Sequence, residues 1–115
     1  MSLVALVQGA YFFLTGVWPI VHIGSFLAVT GPKADLWLVK TVGAIVAVVG
    51  VVLLLAARSG RVTPEVVLLA IGSAAALGAV DVVYVAKRVI PKVYLLDAAA
   101  EAALMLAWGV AWRLG

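Results

Sequence analysis

The sequence predicts an all-α integral membrane protein, an antiparallel bundle of four transmembrane helices. Its 115 residues are 67% hydrophobic and its mean hydropathy is +1.28, values outside the range of soluble globular domains. Four apolar stretches each approach the roughly 20 residues that cross a hydrocarbon core. The turns between them are too short to hold another element.

The predicted spans form one transmembrane domain, residues 1–115, and cover residues 3–27, 36–57, 65–86 and 93–112. Nothing basic precedes the first stretch and no clear small-residue cleavage site follows it, so we interpret it as a retained helix. Thr63 can cap the third helix, Pro64 suits its first turn, and Glu65 favours the positive end of its dipole. Pro32 and Pro91 mark the second and fourth starts less sharply.

Small residues predict close packing between the spans. Gly43, Ala47 and Gly50 lie on one side of the second span, and alanine and glycine crowd the third and fourth. Because short turns make consecutive helices neighbours, we expect a tight bundle in the cell membrane, crossing it several times. The expected partners are the lipid bilayer and a second copy of the chain, in a homo-oligomer.

Two turns on one membrane face resemble each other. In each, Pro-Lys is followed by an aromatic residue, Leu, an aliphatic residue and a charge: Pro32-Lys33 before Trp37-Leu38-Val39-Lys40, and Pro91-Lys92 before Tyr94-Leu95-Leu96-Asp97. The match predicts two helical hairpins that are parallel repeats. It is short and needs a gap, so a chance likeness stays open as the alternative.

Five ionisable side chains lie inside the predicted spans: His22, Lys40, Asp81, Asp97 and Glu101. Such residues are rare in lipid and face a bundle interior, a partner or a water-filled cavity. Counting along each helix places all five in one leaflet, with every span contributing. The sequence therefore predicts a shared polar pocket.

Helical spacing defines the walls of this pocket. Gln8, Tyr11, Thr15, Trp18 and His22 recur at steps of three and four in the first span, although the first three also suit ordinary helix packing. The pocket is expected to open towards the face that carries the lysines of the two Pro-Lys turns. The predicted ligand-binding or proton-coupling residues are Trp18, His22, Lys40, Asp81, Tyr84, Tyr94, Asp97, Glu101 and Trp108.

Charge balance points to proton exchange. Three carboxylates that face one lysine and one histidine cannot all be ionised cheaply in a low-dielectric site, so protons, nearby bases or a bound cation must compensate. Asp97 and Glu101 lie one turn apart, where like charges repel. The alternative is a purely structural ion pair of Lys40 with Asp81 or Asp97, which would fix only helix register.

Several functional classes are excluded. The net charge of +3 forms no basic patch, which argues against a nucleic-acid partner. The absence of cysteine excludes disulfides and thiolate metal sites. One histidine among carboxylates is a weak metal signature, so the sequence assigns no metal, and it identifies no cofactor.

Three functions remain open. The first is binding or transport of a small cationic or amphipathic ligand, with carboxyl groups exchanging protons. The second is an intramembrane acid–base enzyme acting on a lipid, sterol-like or isoprenoid substrate. The third is an accessory subunit. Length and span number resemble the small multidrug resistance family, but that family's glutamate in the first span has no counterpart here, so we assign no family.

Overall fold

The structure, a computed structural model, describes residues 1–114 and is all-helical. Its helices are α1 (Ser2–Val21), α2 (Ile23–Thr30), α3 (Leu36–Ser59), α4 (Pro64–Ala86) and α5 (Tyr94–Leu114). By length and composition, α1, α3, α4 and α5 can each cross a membrane. The predicted fold class, an all-α bundle of four membrane spans, is therefore confirmed.

The later helices begin at or next to their predicted starts. At α4 the predicted cap is present, because Thr63 Oγ1 accepts a hydrogen bond from the Val66 amide at 3.4 Å. Gly60 caps the C-terminus of α3, and its φ of 68° lies in the left-handed region that glycine adopts without steric cost.

The predicted first span is divided into two helices. Its chain leaves helical geometry at His22, with φ −143° and ψ 75°, and α2 begins at the next residue. Pro19, one turn earlier, has no amide hydrogen to donate to the preceding turn. The His22 ring caps the N-terminus of α2, because its Nδ1 accepts a hydrogen bond from the Ser25 amide at 3.1 Å.

Helices α1 and α3 pack with their backbones in near contact. A Cβ added to Gly16 would lie 2.5 Å from the Gly43 carbonyl oxygen and 2.6 Å from the Ala47 nitrogen. Further along the same pair, a Cβ on Gly9 would lie 2.9 Å from the Gly50 oxygen. The small residues predicted on the second span thus face the first, where a larger side chain has no room.

The bundle is filled at one end and hollow at the other. Helix α1 packs most closely against α3, and α4 against α5. The two pairs meet in a hydrophobic core near the chain termini and the turn between α3 and α4, built from Ala5, Leu53, Val67, Ala70 and Trp108. A cavity lies in the opposite half. The internal repeat stays a prediction.

Candidate intramembrane binding cavity

The cavity has a volume of about 550 Å³ and is lined by residues from all five helices. Aliphatic side chains such as Val46 and Leu77 form much of its wall. Its polar and aromatic lining residues are Tyr11, Thr15, Trp18, Phe26, Thr30, Lys33, Asp81, Tyr94 and Asp97. Its size and its mainly apolar wall with a few polar groups are typical of sites for small organic ligands.

The cavity opens sideways to the bilayer. Val42 on α3 and Val80 on α4 both line it, yet their side chains are 46% and 51% exposed. They lie on the outer surface of spanning helices, the surface that lipid covers.

Two aspartates line the inner wall of the cavity. The Tyr11 hydroxyl, on α1, donates a hydrogen bond to Asp97 Oδ1, on α5. Asp81 on α4 and Asp97 on α5 both line this wall, so the two carboxyl groups face the same space. Asp81 is 6% exposed, and its Oδ2 receives no hydrogen bond from residues 1–114.

Glu101 lies behind these aspartates, one turn along α5 from Asp97, and does not line the cavity. It is fully buried and packs over Gly78 of α4, where an added Cβ would lie 3.3 Å from the glutamate Cβ. Neither of its carboxyl oxygens has a hydrogen-bond partner within the described part of the chain. We call Asp81, Asp97 and Glu101 the acidic cluster.

The acidic cluster holds three carboxyl groups, and three of their six oxygens have no hydrogen-bond partner within residues 1–114. Neighbouring carboxylates repel each other when all are ionised, and a proton held between two of them removes most of that repulsion. An unpaired carboxylate in an apolar interior is also costly. The arrangement therefore requires a proton or another cation at the inner end of the cavity.

Trp108, predicted as a ligand-binding residue, lies in the filled end of the bundle instead. Its Nε1 donates to Gln8 Oε1 at 2.6 Å, and Gln8 Nε2 donates to the Ala70 carbonyl at 2.9 Å. Both side chains are fully buried. This network joins α1, α4 and α5 by hydrogen bonds that lipid cannot replace.

Besides Glu101 and Trp108, three further predicted site residues lie outside the cavity: His22, Lys40 and Tyr84. His22 is exposed, and its ring caps the N-terminus of α2. Lys40 is exposed because its neighbour Val39 lines the cavity, and successive helical residues point about 100° apart. The Tyr84 ring is also exposed and lies 5.7 Å from the Lys87 ammonium.

Trp18 and Tyr94 line the cavity. The Trp18 Nε1 donates to Ser25 Oγ at 2.8 Å, and its ring meets Phe26 edge-on at 5.2 Å. These contacts hold α2 over the cavity.

Tyr11 and Lys33 line the cavity but were not among the predicted ligand-binding residues. Tyr11 lies on the polar stripe of the first span, which was a usable signal. Lys33 belongs to a turn, where periodicity gives no orientation.

Within residues 1–114, no group of three or more histidine and carboxylate side chains is arranged to hold a metal ion. Comparison with models of protein families, with curated proteins and with solved structures finds no significant match to this chain.

Proposed function

We propose that the chain is a small multi-pass protein of the cell membrane that binds an amphipathic cation from the bilayer and releases a proton in exchange. The observation that carries the proposal is the pair Asp81 and Asp97, which both line a mainly apolar cavity. Lys33 also lines the cavity, but its ammonium is held by oxygens of Thr30 and Gly31.

The walls of the cavity suit such a ligand. Its apolar part would replace lipid contacts by contacts with Val46, Leu77 and other aliphatic side chains. The ring of Trp18 offers a face that attracts positive charge. The sideways opening supplies a route from the leaflet in which an amphipathic cation dissolves.

Charge balance links binding to proton release. Before binding, a proton shared within the acidic cluster offsets the repulsion between its carboxyl groups. A ligand that brings one positive charge to Asp81 and Asp97 takes over that role, so a proton leaves. Glu101, buried behind them, would hold a proton that the aspartates exchange with the cavity.

The test measures binding of tetraphenylphosphonium, an apolar monovalent cation, to the purified protein in detergent micelles. Calorimetry in two buffers of different ionisation enthalpy counts the protons released for each cation bound. We expect about one proton per cation. Asp97→Asn should weaken binding at least about tenfold, which corresponds to about 1.4 kcal/mol, and abolish the proton release.

Asp35→Asn is the matched control, because Asp35 is an exposed carboxylate outside the cavity whose side chain forms no cap hydrogen bond. It should bind like the wild type. Val46→Trp tests the cavity itself, since the larger side chain occupies space there and leaves every carboxyl in place. Equal binding by wild type, Asp97→Asn and Val46→Trp would refute the proposal.

A further inference from the structure

The Lys33 ammonium is fully hydrogen-bonded at the mouth of the cavity. It donates to Thr30 Oγ1 at 2.8 Å, to the Gly31 carbonyl at 3.0 Å and to the Thr30 carbonyl at 3.2 Å. An ammonium group has three N–H donors and no acceptor, so three acceptors match its capacity. All three are neutral oxygens of the short segment that ends α2.

Two aromatic rings complete the surroundings of this ammonium. Its nitrogen lies 5.3 Å from the centre of the Phe26 ring and 5.1 Å from that of Tyr94. Both distances are within the range of a cation–π interaction. Phe26 belongs to α2 and Tyr94 begins α5, so the lysine connects two helices that are distant in sequence.

The two turns of this face hold the rings in position. Gly31 has φ 92°, in the region where glycine carries no steric penalty, and a Cβ added to it would lie 3.1 Å from Pro91 Cγ. The turn after α2 therefore packs directly on the turn before α5. This contact brings Tyr94 opposite the oxygens of Thr30 and Gly31.

We propose that these oxygens and rings form a second cation site, at the mouth of the cavity, which is selective for primary ammonium groups and is occupied by the chain's own Lys33. We call it the ammonium cage: Phe26, Thr30, Gly31 and Tyr94. A quaternary ammonium has no N–H group, so it would leave the three oxygens unpaired. The cage is separate from the acidic cluster and does not depend on the function proposed for it.

Chemical rescue tests the cage directly. Lys33→Ala removes the atoms of one n-propylammonium ion, so that free ion can refill the space. We expect Lys33→Ala to lower the unfolding temperature of the protein in detergent micelles, and millimolar n-propylammonium chloride to restore most of the loss. Tetramethylammonium chloride at equal ionic strength should not.

Lys87→Ala is the control, because Lys87 also places its ammonium over a tyrosine ring, that of Tyr84, but outside the cavity. Its unfolding temperature should not respond to n-propylammonium. The wild type should respond little, because its own Lys33 ammonium already occupies the three oxygens of the cage. Should Lys33→Ala not fold, Lys33→Met, whose side chain occupies the lysine positions from Cβ to Cε, is titrated with ammonium chloride against tetramethylammonium chloride in its place.

Stabilisation of the Lys33 variant by the primary ammonium alone would support the cage. Equal effects of the two ions on that variant, or an equal response in Lys87→Ala, would overturn it. No cavity ligand takes part in this experiment. Its outcome is therefore independent of tetraphenylphosphonium binding, and either proposal can fail without the other.

Discussion

The backbone contact between α1 and α3 leads to a quantitative prediction for Gly16→Ala. The new methyl group would lie 2.5 Å from the Gly43 oxygen, whereas ordinary contacts begin at 3.4 Å, so the helices must separate by about 1 Å. Overpacking of a close interface costs up to about 3 kcal/mol. The higher helix propensity of alanine than of glycine offsets about 1 kcal/mol of this cost. We therefore expect the free energy of unfolding to fall by about 2 kcal/mol.

The free energy of unfolding can be measured by reversible titration with a denaturing detergent in mixed micelles, followed by the helical circular dichroism signal. Gly72→Ala is the matched control. Gly72 lies inside α4, and nothing lies within 4 Å of the Cβ that alanine would add there. That variant should keep or gain stability, because only helix preference acts at an open position.

The difference between the two variants tests the packing of the bundle. If Gly16→Ala were as stable as Gly72→Ala, the close approach of α1 to α3 would be refuted. Gly16 and Gly43 also line the cavity. A separation of α1 from α3 should therefore change binding in the cavity as well as stability.

Two further predictions concern hydrogen bonds. In a double-mutant cycle of Gln8→Ala with Trp108→Phe, the coupling free energy should be about 1 kcal/mol, as for other side-chain hydrogen bonds between membrane helices. A coupling free energy near zero would contradict the hydrogen-bond network. His22→Ala should lower the free energy of unfolding by about 1 kcal/mol, because it removes the side chain that caps α2. It should also speed hydrogen exchange of the Ser25 amide. An unchanged exchange rate would show that the ring does not cap the helix.

Much of the fold could be predicted, because the length of each apolar stretch determines whether it can span a membrane. A run of residues without charge has no other stable place than a bilayer, and Pro64 and Gly60 mark helix ends by their backbone chemistry. The division of the first span at His22 was not predicted. Proline in a membrane helix indicates a weak point but does not say whether the chain bends there or starts a new helix.

The acidic cluster was easier to predict than its surroundings. Asp97 and Glu101 are one turn apart on one helix, so a shared face follows from geometry alone. The other polar residues of α3 are Thr41, next to Lys40, and Arg58 and Ser59 at the far end, so they define no polar stripe that would show which side Lys40 faces. The hydrogen bond from Tyr11 to Asp97 joins distant parts of the chain and requires the packing of α1 against α5.

The filled end of the bundle bars passage across the membrane in this conformation. Cargo that reached Asp97 from one leaflet would meet the Gln8 and Trp108 side chains before the opposite aqueous phase. A carrier cycle would therefore have to break those hydrogen bonds and part the helices around Ala70, while a receptor or a buffer for amphipathic cations would never need to. The stability of the hydrogen bonds of Gln8 and Trp108 therefore distinguishes a transporter from a protein that only binds its ligand.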